Sequence, residues 1–267
     1  MTNLSEYLWP WKQRELIAQF VRRELQSRYR QSLFGLAWLL LVPLLTLAVY
    51  TVVFQYIFTS RWADTQTTNL AFALRLFAGL SLFSLVSECL MRAPRLVVNQ
   101  PNLVKKVVFP LPILIWIQGL VSVAQLGVAL IILLIGQWFD AGVIPLGILG
   151  TPLILIPLIY WVLGLSWFLA ALGVYLRDVE QIVGLGMSLL LFLTPIFYPV
   201  SSLPSIWQEW LGYYPLAYWI ESFRQLVFNN QWPSLGHYLG MVLCSLLTAI
   251  AGAAFFRHAQ EGFADVL

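Results

Sequence analysis

The sequence predicts an all-α integral membrane protein with six transmembrane helices, an N-terminal amphipathic interface helix and short re-entrant helices between the fifth and sixth spans. Three observations predict it. Of 267 residues, 60% are hydrophobic and only 10% are charged. Soluble domains carry about 25% charged residues, and a chain this poor in charge cannot cover a water-facing surface. Uncharged runs of spanning length recur along the chain, and Lys and Arg gather at one side of them. The same composition excludes disorder. Two cysteines exclude a disulfide scaffold.

The first 33 residues are polar and charged. They hold no short apolar core before a small-residue cleavage site, so no cleavable signal peptide is expected. Within them, residues 12–30 carry a helical pattern. Leu16, Ile17, Phe20, Val21 and Leu25 share one side, whereas Glu15, Gln19, Arg22, Arg23, Gln26 and Arg30 share the other. Such a helix lies in the membrane interface. Glu24 and Arg28, four residues apart toward the apolar side, are spaced for an ion pair.

Uncharged runs cover residues 34–60, 107–139, 141–176, 181–208 and 225–256, each longer than the roughly 20 residues a spanning helix needs. A further span near 70–91 carries Arg75 and Glu88 toward its ends, from where charges snorkel to the headgroups. Helices are expected at about 34–58, 70–90, 110–136, 150–174, 181–194 and 235–256. Twelve of the 15 Lys and Arg residues then fall on the side of the termini, and Arg61, Arg75 and Arg224 on the other. That bias places both termini in the cytoplasm. The net charge of +3 is an orientation signal, and no basic face of a soluble domain points to nucleic acid.

Two segments are more than connectors. The loop from 92 to 109 contains Pro94 and Pro101 and ends before Pro110, leaving room for short helical pieces at Arg95–Gln100 and Asn102–Val108. A simple connector needs fewer residues, so it reads either as a docking surface or as an ordinary positive-inside loop. In residues 195–233, Pro195, Pro199 and Pro204 break the fifth run. Phe197, Tyr198, Trp207, Trp210, Tyr213, Tyr214, Tyr218, Trp219, Phe223 and Phe228 follow. Such a segment reads either as an interfacial aromatic belt or as the rim of a pore, where non-helical backbone is sheltered by protein.

Much chemistry is missing. No GxxxxGK[ST] occurs, so the chain is not itself a P-loop ATPase. His237 and His258 are the only histidines, without HExxH, CxxC or DxD, and no metal site is expected. No mid-span carboxylate of the kind used by ion-coupled carriers is evident, and no repeat relates the two halves. Arg177, Asp178 and Glu180 form the one tight ionic cluster at a helix end. A multi-span chain without an engine points to a permease driven by another subunit.

Four stretches carry a family resemblance. They are Arg28-Tyr29-Arg30-Gln31-Ser32-Leu33-Phe34-Gly35-Leu36-Ala37-Trp38 with Pro43-Leu44; Asn102-Leu103-Val104-Lys105-Lys106-Val107-Val108-Phe109-Pro110; Arg177-Asp178-Val179 followed by Thr194-Pro195-Ile196-Phe197-Tyr198-Pro199; and Tyr214-Pro215-Leu216 with Phe223-Arg224. In order and spacing the chain resembles the membrane subunit of polysaccharide-exporting ABC transporters, of the O-antigen and teichoic-acid type, in the ABC type-2 permease family. It departs from the family in reading Leu111-Pro112 where a charged pair is common, and Tyr214 where Asn is common before the proline.

The resemblance implies a homodimer with two copies of a separate ABC ATPase. That ATPase would bind ATP and Mg, with no cofactor in this chain. Residues 1–33 would be a cytoplasmic interface or gate helix and 34–267 the permease domain, with the coupling loop at 92–109 and periplasmic gate helices at 195–233. Arg95, Asn102, Leu103, Lys105 and Lys106 would meet the ATPase. The cargo would be a lipid-linked polysaccharide on a polyprenyl pyrophosphate, in a bacterial inner membrane. Aromatic faces suit a sliding glycan, and Trp38, Tyr50, Phe54, Phe58, Phe192, Phe197 and Tyr198 are the candidates to line its path; lipid-facing or core packing is the other reading. Arg28 and Arg30 are the candidates for the pyrophosphate. A same-fold permease for teichoic acid, capsule or a smaller lipid or drug is the alternative. A membrane-embedded enzyme or ion-coupled carrier is the more distant one.

Overall fold

The computed structural model describes residues 4–29, 32–53, 69–105, 109–143, 145–198, 200, 204–207 and 214–267. Among the described residues all regular structure is helical. Helix α1 (Leu4–Leu8) and a 3-10 turn precede α2 (Arg14–Tyr29). Then come α3 (Trp38–Val52), α4 (Asn69–Val98), the short α5 (Pro101–Lys105) and α6 (Ile113–Ala141). The chain continues with α7 (Thr151–Tyr175), α8 (Val179–Leu193), α9 (Pro215–Asn229), α10 (Leu235–Ala259) and α11 (Phe263–Val266). Among the described residues five segments are long and apolar enough to cross a bilayer: Gly35–Val52, Leu70–Val98, Ile113–Ala141, Leu146–Tyr175 and Leu235–Val266. The protein is a multi-pass integral membrane protein.

Two expectations change. The fifth expected span is α8, whose 15 residues cover about 22 Å, short of the roughly 30 Å hydrocarbon core. It stops because Thr194 turns extended, with ψ 136°, as the residue before a proline prefers. The second expected span does not end near 90. Helix α4 runs straight through Pro94 to Val98, so Glu88 lies about three turns from its end. Packing carries the helix past the proline: Ala93 and Val97 are fully buried, and Gly173 of α7 approaches so closely that a Cβ there would sit 2.2 Å from the Pro94 carbonyl oxygen.

Helix α4 is the hub, packed against α3, α6, α7, α8 and α9, and α7 lies between α4 and α10. The α7–α10 crossing is a glycine contact. A Cβ on Gly252 would stand 1.9 Å from the Gly164 carbonyl oxygen, and one on Gly164 would stand 2.4 Å from that of Thr248. In a bilayer, where burial of apolar surface does not drive association, such close backbone approach supplies dispersion contact instead. Ser245, Ala249 and Ala253 line the same buried face of α10 at four-residue spacing.

Two apolar cores result. One joins the α9 end of α4, α6 and α7 around Phe77, Trp219 and Phe223. The other lies at the α5 end, around Trp167, Phe256 and Phe263. The N-terminus is anchored there. Tyr7 is buried edge-on to Trp167 and Phe256, its hydroxyl donates to Gln260 Oε1 at 3.1 Å, and its carbonyl accepts from Trp116 Nε1 at 2.8 Å. Helix α2, amphipathic as expected with Ile17 buried, therefore starts from a fixed point and packs along α6.

Candidate functional site

Helices α4 and α6 carry matching polar stripes on otherwise apolar surfaces. On α4, Ser81, Ser84, Glu88 and Arg92 recur at three- or four-residue intervals; on α6, Gln118, Ser122 and Gln125 do the same. This spacing puts each set on one helical face. The stripes face each other, and the end of α2 delivers Arg28 between them. Its Nη1 donates to Glu88 Oε1, its Nε to Glu24 Oε1 at 3.3 Å and its Nη2 to Gln118 Oε1 at 2.9 Å. Gln118 Nε2 donates to Ser122 Oγ at 3.2 Å, and Ser122 donates to Glu88 Oε2 at 3.2 Å. With its amide oriented to satisfy both neighbours, Gln125 donates to Glu88 and accepts from Arg28. Arg92 adds longer ion pairs, 3.7 Å to Glu24 and 3.6 Å to Glu88. Two cations face two carboxylates, so the cluster carries no net charge.

Glu88 does not snorkel to a helix end, as its place in a shorter span implied. It is held inside the helical array by a guanidinium whose side chain is 10% exposed. Arg28 is thus an interior ion-pair partner, already engaged by two carboxylates. Arg30 lies outside the described residues.

A cavity lies on each side of the cluster. One, of about 280 Å³, runs between α3, α4 and α6, with Trp38 and Thr46 on one wall and Ser84, Glu88, Ser122 and Gln125 on the other. The second, of about 490 Å³, opens at the α5 end and includes Glu24, Arg92, Arg95, Leu103, Gln118 and Glu180 in its lining.

The far end is built on another arginine. Arg224 of α9 is 4% exposed. Its Nε donates to the Arg75 carbonyl at 3.0 Å, Nη1 to that of Pro195 at 2.7 Å and Nη2 to that of Ile196 at 2.8 Å. The break after α8 leaves those two carbonyls outside a helix, and Arg224 satisfies them while tying α9 to α4. Gly79 makes the space, since a Cβ there would lie 2.5 Å from Nη2. Arg224 and Arg75, which the charge bias put on the outer side, both sit in helices and are tied together at this end; Arg75 lies over the Phe228 ring at 5.7 Å.

Several expected path residues do meet at this end. Tyr50 lies 6.1 Å from Phe197, and Phe197 lies 6.3 Å from Phe192. The Tyr198 hydroxyl donates to the carbonyls of Phe192 and Leu193, at 3.2 and 3.1 Å, and so caps α8. Trp38 is at the opposite end of α3, edge-on to Phe34. Phe54 and Phe58 lie outside the described residues.

At the α5 end, the cluster expected among Arg177, Asp178 and Glu180 takes a different form. Arg177 and Asp178 are exposed and share no ion pair among the described residues, whereas Glu180 pairs with Arg95. Lateral reach explains it: the pair bridges α8 to α4. Arg95 is thereby tied to its neighbour, Leu103 is partly buried against the core, and Asn102 and Lys105 are exposed. Lys106 lies outside the described residues.

The helices that frame these sites fall within one family match. The ABC-2 type transporter family matches residues 15–228. The chain belongs to this family. As in other ABC-2 permeases, it is a membrane subunit of an ABC transporter. The matched stretch runs from the start of α2 almost to the end of α9, so it includes both buried arginines. The chain is 26% identical to an O-antigen export system permease protein RfbA of Klebsiella pneumoniae, with 95% of each chain covered, and 25% identical to a second from the same organism at the same coverage. It is 24% identical to one from Myxococcus xanthus, with 96% of each covered. Glu88, Gln118, Ser122 and Gln125 are the site residues that sequence reasoning missed. Their signal was the polar stripe at helical spacing within two apolar runs.

Proposed function

We propose that this ABC-2 permease is the membrane subunit of an ATP-driven exporter that moves a polyprenyl-pyrophosphate-linked polysaccharide of the O-antigen type across the cytoplasmic membrane. The observation that carries the reading is likeness along almost the whole chain to permeases named for O-antigen export. The protein works as a homodimer with two copies of a separate ATPase, which binds the ATP and Mg. Both termini face the cytoplasm, which requires α8 to complete a sixth crossing together with the residues that follow it, and α9 enters the membrane from the outside.

The geometry supports a division of labour. Helix α5 and the last turns of α4 project at the α5 end, where a coupling element would meet an ATPase, with Asn102 and Lys105 exposed for contact. Rigid-body motion passed along α4 reaches both Glu88 and the backbone held by Arg224. The Trp38 cavity and the Tyr50–Phe197–Phe192 group offer aromatic faces to sugar rings. Arg28 meets the pyrophosphate once Glu24 and Glu88 release it, because a phosphate takes guanidinium hydrogen bonds in the same geometry as a carboxylate.

The test is loss of the chain in its own cell. Lipid-linked polysaccharide should accumulate on the cytoplasmic face, and the tagged chain should co-purify with an ATPase subunit. Normal surface polysaccharide after loss of the chain would overturn the assignment of cargo.

A further inference from the structure

We infer that the Arg28 network is the closed barrier between the two cavities, and that Glu88 is the positioning residue that latches α2 into it. The cavities end on opposite sides of one hydrogen-bonded set. Glu88, Ser122 and Gln125 line the Trp38 cavity, whereas Glu24, Arg92 and Gln118 line the groove at the α5 end. Arg28 belongs to neither lining and bonds to residues of both. A path from one cavity to the other therefore passes through its guanidinium.

The chemistry fits a closure that must reopen. An apolar plug of the same volume is often more stable than a buried ion pair, but it presents nothing for a polar head group to exchange with. Here every contact that holds Arg28 is a side-chain hydrogen bond from its charged guanidinium. Glu88 holds Arg28 from α4 and Gln118 holds it from α6, so separating these helices, or offering Arg28 another anion, releases α2. Ser81, Ser84 and Ser122 keep the wall polar enough for water to take over the vacated bonds. The latch rests on the export reading for what passes through it; the closure itself does not.

Thiol accessibility tests it in membrane vesicles that expose the α5 side and carry the full chain with Cys89→Ser and Cys244→Ser. A membrane-impermeant thiol reagent is added to Asn99→Cys, in the groove, or to Ser84→Cys, in the Trp38 cavity. With the network intact, Asn99→Cys should react quickly and Ser84→Cys more slowly by about tenfold or more. Adding Glu88→Gln should speed Ser84→Cys by about the same factor and leave Asn99→Cys unchanged. The exchange Arg28→Glu with Glu88→Arg should restore slow reaction, which a general loosening of the fold would not. If Glu88→Gln fails to enter the membrane, Arg28→Lys takes its place, since the donors of an ammonium sit on one nitrogen and do not span Glu24, Glu88 and Gln118, which three separate guanidinium nitrogens reach. Fast reaction at Ser84→Cys with the intact network would overturn the barrier, as would unchanged slow reaction in Glu88→Gln or its replacement. No step needs cargo or ATP, so a failed export reading and a failed latch give different results.

Discussion

Arg28 is mostly and Arg224 fully buried, with side chains 10% and 5% exposed, yet they are held by different kinds of partner. Arg28 is ringed by side chains, two carboxylates and two amides on three helices. Arg224 is hydrogen-bonded to three backbone carbonyls, with the carboxylate of Glu221 farther off at 4.0 Å. A carboxylate can swing to another rotamer or yield to another anion, whereas a carbonyl moves only if the backbone does. The first arrangement suits a part that opens and closes. The second suits a rivet that fixes the break after α8 against α4 and α9. One permease thus uses the same side chain for motion at one end and for rigidity at the other.

Removing the rivet should have the largest effect. Arg224→Ala leaves the Pro195 and Ile196 carbonyls without their donor and removes the tie to the Arg75 carbonyl of α4, at a cost of about 3–5 kcal/mol, a large part of the ~5–15 kcal/mol that holds a typical domain folded. The amount of membrane-inserted protein and its unfolding midpoint in detergent should both fall sharply. Arg224→Lys should recover only part, because an ammonium lacks the planar fork that reaches three acceptors. Full recovery would mean that charge alone matters at this site.

Gly79→Ala should follow, with a cost of about 1–3 kcal/mol from overpacking against the guanidinium. An unchanged midpoint would show that Arg224 has room to retreat and is less fixed than its bonds imply. Arg28→Gln should cost about as much or less in stability, roughly 1–3 kcal/mol, while abolishing most export. That separation of stability from transport is what distinguishes a latch from a rivet, and an equal fall in both would erase the contrast. Smallest of all is Arg95→Ala. Its pair with Glu180 is exposed, 63% on the arginine side, and exposed pairs contribute about 0–1 kcal/mol. The unfolding midpoint should barely move.

The membrane class and the five long spans were legible because a bilayer imposes a length and a composition that a sequence displays directly. The course of α2 was also legible from its apolar face, including the Glu24–Arg28 pair at four-residue spacing. The extent of α4 was not. Pro94 reads as a helix end by local rules, and only the close approach of Gly173, nearly 80 residues away in sequence, explains why the helix continues. With the helix ended too early, Glu88 was placed at a boundary and its partner on α2 went unnoticed.

The same limit applies to Arg224. Its charge marked only the side of the membrane, whereas its partners are carbonyl groups, which no sequence pattern marks. Among the proposed path residues, Tyr50, Phe197 and Phe192 lie side by side although no sequence spacing links α3 to the end of α8, and Phe54 and Phe58, whose register with Tyr50 was the sequence signal, lie outside the described residues. Tyr198 turned its hydroxyl to the end of α8 instead, because Thr194 and Pro195 leave carbonyls there that need a donor. Arg177 and Asp178, adjacent in sequence, were separated from Glu180 by a partner on another helix.

The most direct measurement is transport by the purified permease and its ATPase in lipid vesicles loaded with polyprenyl-pyrophosphate-linked polysaccharide. Glycan exposed to an added lectin should increase when ATP is supplied, and it should not increase without ATP or with Arg28→Gln. ATP-driven movement of a small lipid while the polysaccharide stays in place would contradict the account.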